Sequence, residues 1–132
     1  MSKKQLIGTT AVVVASLGAS AILAAAPAEA QGGGGGVQNS GACTSHGTWK
    51  LKAKPDNGRI QIEFEVDVNR VGQTWHVRIT DNKHVVVSRD ATTKAPSGSF
   101  TVSPRTRNRA GTDVIRAHAT RGSVTCGGSV RL

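Results

Sequence analysis

The sequence predicts an all-β fold: an antiparallel β-sandwich of about seven strands, closed by one disulfide, Cys43–Cys126. Three observations predict it. From Cys43 onward the apolar residues recur with a period of two, which places alternate side chains on one face of a strand. Turn signals rich in Gly, Pro and Asn separate these runs at short spacing. The only two cysteines stand near the two ends of the patterned stretch.

Ahead of that stretch the chain reads as an export leader. Lys3 and Lys4 supply a positive start, residues 6–26 are apolar and rich in Ala and Val, and Pro27 breaks the helix. Ala28-Glu29-Ala30 then offers small residues where a signal peptidase requires them. The rival reading is a membrane anchor. Gly8, Thr9, Thr10, Ser16, Gly18 and Ser20 lower the hydrophobicity of the run, and its flank is a cleavage site rather than a basic stop-transfer segment. The expected organisation is therefore a signal peptide over residues 1–30, a Gly-rich flexible tail over 31–42 and a sandwich over 43–132.

Two cysteines in an exported chain, without neighbouring ligand residues, point to a disulfide rather than a metal. The bridge encloses 82 residues. In the chain-entropy model a loop of that size stabilises the fold by about 4–5 kcal/mol.

The strands follow in order. Trp49, Leu51 and Ala53 alternate with Lys50, Lys52 and Lys54, and Ile60, Ile62, Phe64, Val66 and Val68 alternate with polar residues. Pro55-Asp56-Asn57-Gly58 between them is turn chemistry, since Pro fixes φ and Asn-Gly tolerates positive φ. With residues 55–58 as the loop, Trp49 faces Phe64, Leu51 faces Ile62, and Lys50 meets Glu63. A third strand directs Trp75, Val77 and Ile79 inward. Paired to the second around Val71-Gly72, it sets Glu65 opposite Arg78 and Asp67 opposite His76. That pairing holds only if both strands lie in one sheet. Further strands are expected over 85–88 after an Asp81-Asn82 turn, over 100–103, over 114–120 and over 124–126. Gly127-Gly128 and a short 130–132 segment close the chain.

Several of these segments carry a likeness to known folds. They are Trp49-Lys50-Leu51-Lys52, Gly72-Gln73-Thr74-Trp75, Ala95-Pro96-Ser97-Gly98-Ser99-Phe100, and Asn108-Arg109-Ala110-Gly111-Thr112-Asp113. Together they resemble immunoglobulin-like or fibronectin type III-like domains, and more narrowly small secreted actinobacterial proteins. The resemblance implies a fold, not an activity. The chain departs from antibody-type domains in placing its cysteines at the ends of the domain and in having no tyrosine.

Charge is the functional lead. The chain carries 17 Lys and Arg against 8 Asp and Glu, a formal +9. Cleavage would remove Lys3, Lys4 and Glu29, leaving 15 against 7 and a net +8. Such a field favours anionic partners. Arg105, Arg107 and Arg109 alternate and would project together from an extended loop, Arg116 continues on the next strand, and Lys50, Lys52 and Lys54 form a second stripe. Guanidinium forks suit phosphate and carboxylate groups. The competing reading is a solvated edge whose charges prevent strand-to-strand aggregation.

Other chemistry finds less support. His46, His76, His84 and His118 lack metal-ligand spacing, so neither a metal nor another cofactor is expected. Serines fall in turns, and Asp113 and His118 face opposite sides of one strand, so no catalytic set is expected. Trp49, Phe64, Trp75 and Phe100 occupy inward positions and leave no aromatic platform for nucleic-acid bases. Two function classes follow. One is a non-catalytic envelope module that binds anionic polymer. The other is an inhibitor or interaction module offering a rigid loop over 104–111 or 92–98.

Overall fold

Alternation in the sequence becomes strand structure almost residue for residue. The computed structural model describes residues 35–132, so the expected leader and the first residues of the Gly-rich segment lie outside the described residues. Nine strands form: β1 Val37–Ala42, β2 Thr48–Asp56, β3 Arg59–Asp67, β4 Thr74–Asp81, β5 His84–Thr92, β6 Ser99–Val102, β7 Arg105–Arg107, β8 Val114–Arg121 and β9 Val124–Arg131. They make two antiparallel sheets, and no helix occurs among the described residues. The first sheet runs β1-β2-β3-β6, with β7 also pairing β3, and the second runs β5-β4-β8-β9.

The two strands beyond the expected seven are β1 and β7. Residues 37–42 had read as flexible tail. Instead they pair with β2 from Val37 opposite Ala53 to Ala42 opposite Thr48. Backbone hydrogen bonds to an existing strand order a segment whose own apolar content is too low to do so. β7 converts part of the expected 104–111 loop into a ladder on β3.

The inner faces meet as the period of two requires. Leu51, Ile60, Ile62, Phe64 and Val66 from the first sheet are fully buried, as are Val77, Ile79, Ile115, Ala117 and Ala119 from the second. Each Val, Ile, Leu or Phe so placed contributes about 1.5–3 kcal/mol relative to exposure. The cystine adds a covalent tie from the end of β1 to β9 in the other sheet, with Cα atoms 4.3 Å apart.

Two registers differ from expectation. Asn57 and Gly58 alone make the β2–β3 turn, with φ of 54° and 76°. Positive φ at both central residues defines the tight hairpin turn whose twist matches the strands. Asp56 therefore faces Arg59, Leu51 faces Phe64, and Lys50 faces Glu65. The slip from the expected pairing is two residues, which leaves every side chain on its own face. The second difference is larger: β4 leaves β3 and joins the opposite sheet, pairing β5 and β8. Glu65–Arg78 and Asp67–His76 pairs accordingly do not form, and His76 Nδ1 instead meets Asp90 Oδ1 at 3.1 Å. The β4–β5 turn is Asn82-Lys83, which leaves Asp81 as the last residue of β4 rather than a turn residue.

Gly127-Gly128, expected to follow a strand over 124–126, lies inside an unbroken β9. The cause is close packing. A Cβ on Gly128 would stand 2.5 Å from Cη2 of Trp49, and one on Gly127 would collide with the carbonyl oxygen of Ala117. Trp49 thus reaches from one sheet into a slot cut by glycine in the other. Gly128→Ala is expected to lower stability by about 1–3 kcal/mol, the usual cost of overpacking. Urea unfolding should show a lower midpoint at unchanged slope, and a smaller loss when Trp49 is already Leu.

Candidate anion-binding cleft

At the edge where β7 and β5 approach each other, the sandwich leaves an open cleft of about 590 Å³. Arg59, Arg105, Arg107 and Arg109 line it, with His84 and Val85 on the β5 side. The strands explain why these side chains gather. On β3 the inward series Ile60, Ile62, Phe64 sends Arg59 and Gln61 outward. The β7 ladder puts Arg107 opposite Arg59, Thr106 opposite Ile60 and Arg105 opposite Gln61. Arg105 and Arg107 therefore project on the same side as Arg59, while Thr106 points into the sandwich.

Like charges directly opposite on antiparallel strands repel, since their Cβ atoms stand about 4.5–5.5 Å apart. Asp56, across the turn from Arg59, could neutralise one of them. Its carboxylate instead bonds Arg105 Nη2 at 3.1 Å. Among the described residues neither Arg59 nor Arg107 makes an ion pair. The fold thus places two arginines directly opposite each other in the cleft lining, neither in an ion pair among the described residues.

Arg109 behaves differently from its neighbours. Past the end of β7 it turns inward, and its Nη1 donates to Oδ2 of Asp81 at 3.1 Å. Asp81 is fully buried, whereas the Arg109 side chain keeps about a third of its surface exposed. Thr106 Oγ1 also donates to Oδ2 of Asp81, at 3.4 Å. The other oxygen, Oδ1, is buried without a donor. Beside Asp81 lies a second buried carboxylate, Asp113. Burial, and then the hydrogen bond and charge of Asp113, push the Asp81 pKa above the ordinary aspartate range, against the opposing pull of Arg109 and Thr106. Asn82 serves the same end of the sandwich, accepting from the Val114 N–H at 2.8 Å and donating to Thr112 O at 3.1 Å.

The remaining basic residues of the sequence reading lie elsewhere. Lys50, Lys52 and Lys54 stand on the outer face of the first sheet, where Lys50 is opposite Glu65, and Lys52 approaches Glu63 at 3.9 Å. An exposed pair of that kind contributes about 0–1 kcal/mol. Arg116 projects from the outer face of the second sheet, between Thr80 and Ser129, and does not join the cleft. The structure therefore groups Arg105 and Arg107 with Arg59, which the sequence reading had passed over. Its position next to Asn57-Gly58 and in phase with Gln61 and Glu63 was the available signal. Asp81 and Asp113 were also missed as buried groups, although they continue the inward series Trp75, Val77, Ile79 and Ile115, Ala117, Ala119.

Among the described residues no three His, Cys, Asp or Glu side chains gather as metal ligands. Comparison with protein families, curated proteins and solved structures finds no match to this chain, so the cleft is read from its own geometry.

A raised pKa in the fold means that Asp81 contributes most stability below the ordinary aspartate range, and that this contribution is lost as pH rises through the raised value. Asp81→Asn keeps an acceptor for Arg109 and supplies a donor toward Asp113 without the charge. Thermal unfolding from about pH 4 to 8 should show the variant gaining on the parent protein as pH rises. A constant gap across that range would show that Asp81 is not a strained carboxylate.

Proposed function

We propose that this protein is a secreted, non-catalytic module that binds anionic envelope polymer in the arginine cleft. The observation that carries the reading is the Arg59–Arg107 pair, directly opposed on β3 and β7 and without a neutralising partner among the described residues. Like charges held together cost stability, and an anion seated between them removes that cost. Planar guanidinium forks present paired donors to phosphate, sulfate or carboxylate groups. The excess of 15 basic over 7 acidic residues left once the leader with Lys3, Lys4 and Glu29 is removed supplies a long-range attraction toward such polymers.

Other features support the remaining parts of the proposal. A disulfide suits an oxidising compartment outside the cytoplasm, and the leader pattern over residues 1–30 directs the chain there. The β5-β4-β8-β9 order, set against β1-β2-β3-β6, supports the resemblance to immunoglobulin-like or fibronectin type III-like sandwiches without separating the two. Trp49, Phe64, Trp75 and Phe100 are buried, which speaks against a base-stacking nucleic-acid site. An inhibitor loop over 104–111 has less support, because its central residues are hydrogen-bonded into β7.

Co-sedimentation of the protein with purified bacterial sacculi across a salt series tests the reading. Binding should fall steeply with salt, as displaced counterions require. Replacing Arg59 and Arg107 by Ser should weaken it at least about tenfold, given roughly 1.5–3 kcal/mol per charged hydrogen bond. Replacing Lys50 and Lys52 by Ser should have a much smaller effect. Absence of binding at low salt, or equal losses in the two double variants, would discard the cleft.

A further inference from the structure

One side chain belongs to two places at once. Arg109 lines the cleft together with Arg59, Arg105, Arg107 and His84, and it is also the cation bonded to the buried Asp81. Behind the cleft wall, Asp81 and Asp113 are two neighbouring carboxylates with almost no access to water. Two carboxylates can hydrogen-bond each other only when one carries a proton. Among the described residues, Arg109 is the only cation that makes an ion pair with either of them.

We propose that the cleft takes up its anion together with a proton: the anion claims the charge of Arg109, and the Asp81–Asp113 pair accepts a proton from solvent in its place. This rests on the cleft being an anion site, and it adds to that reading a direction of regulation. The guanidinium has five donors and gives Asp81 a single bond, so it can bridge or leave as the anion enters. An incoming negative charge near Arg109 favours the neutral form of the carboxylate behind it. The donor-free Oδ1 of Asp81 offers a place for the proton. By linkage, a ligand that promotes proton uptake binds more tightly as pH falls.

The groups facing Asp81 are few, and they come from several elements. Thr106 and Arg109 approach from β7 and the turn after it, and Asp113 from the segment before β8. Asn82 follows Asp81 directly and reaches Asp113 Oδ1 at 3.5 Å. With its amide nitrogen turned toward the carboxylate, Asn108 donates to Asp113 Oδ2 at 3.0 Å. Just past the end of β9, the backbone of Leu132 exchanges hydrogen bonds with that of Asp113 at 3.0 Å each way. His84, opposite Asp81 across the Asn82-Lys83 turn, is the other titratable side chain at the cleft. Its protonation would strengthen anion binding without involving the buried pair, so the two sources need separating.

Short dextran sulfate is the suitable probe, because its charge does not change between pH 5.5 and 8. Isothermal titration calorimetry in buffers of different ionisation enthalpy counts the protons taken up. Affinity at pH 5.5 should exceed that at pH 8 by about tenfold, within the usual range of linked sites. Proton uptake at pH 7 should persist in His84→Gln and disappear in Asp81→Asn. Should Asp81→Asn fail to fold, the carboxyl carbon NMR signal of Asp81 in the parent protein replaces it. That signal should move toward its protonated position when dextran sulfate is added. Binding without proton uptake, uptake lost in His84→Gln alone, or an unmoved Asp81 signal would overturn the proton-linked mechanism and leave the cleft standing. No binding at low salt, or binding unchanged by the Arg59 and Arg107 replacements, would remove the anion site and this inference with it.

Discussion

Strand β3 buries Ile60, Ile62, Phe64 and Val66 completely, and the two-residue period that this imposes governs every strand hydrogen-bonded to it. On one side it fixes which face of β2 is polar. On the other it accepts β6 along Phe64–Asp67 and β7 along Arg59–Gln61. Because Ile60 must point inward, Arg59 must point outward, and β7 in register then presents Arg105 and Arg107 beside it. The arginine cleft follows from packing the core. Shifting β7 by one residue would bury two guanidinium groups, a far larger cost than the repulsion between Arg59 and Arg107.

The same logic shows how much could be read from the chain. Inward and outward faces were legible at Trp49, Leu51, Phe64, Val77 and Ala117, since alternation alone decides them. The cystine was legible from the count and position of two cysteines. Register was not, because pairings two residues apart satisfy the same faces. Only the backbone freedom of Asn57 and Gly58 chooses between them. Sheet membership was also hidden: β3 and β4 are consecutive and both amphipathic, and either one sheet or two would bury their apolar sides. Segment 37–42 offered no apolar pattern at all. Its order comes from edge hydrogen bonds supplied by β2.

At the candidate site, composition showed an excess of positive charge and spacing drew attention to Arg105 and Arg107. It could not separate arginines that face solvent from one that answers a buried charge. Arg109 shares their alternation, yet β7 ends at Arg107, and beyond that point the chain is free to turn toward Asp81. The residues grouped by sequence spread over both outer faces of the sandwich, with Lys50 on one and Arg116 on the other. The cleft therefore owes its charge to a few positions at one edge rather than to net charge.

The position of the cystine has a mechanical consequence. Cys43 follows directly after β1, and Cys126 lies in β9. Tension applied between Val37 and Leu132 would first unzip the six residues of β1 from β2. The pull would then pass through the sulfur–sulfur bond into the end of β9 and Leu132, bypassing residues 44–125. The covalent path is inextensible, so the strands carrying the hydrophobic core and the cleft would feel little of the load. A domain tied in this way can be tugged at both ends while its central fold stays slack.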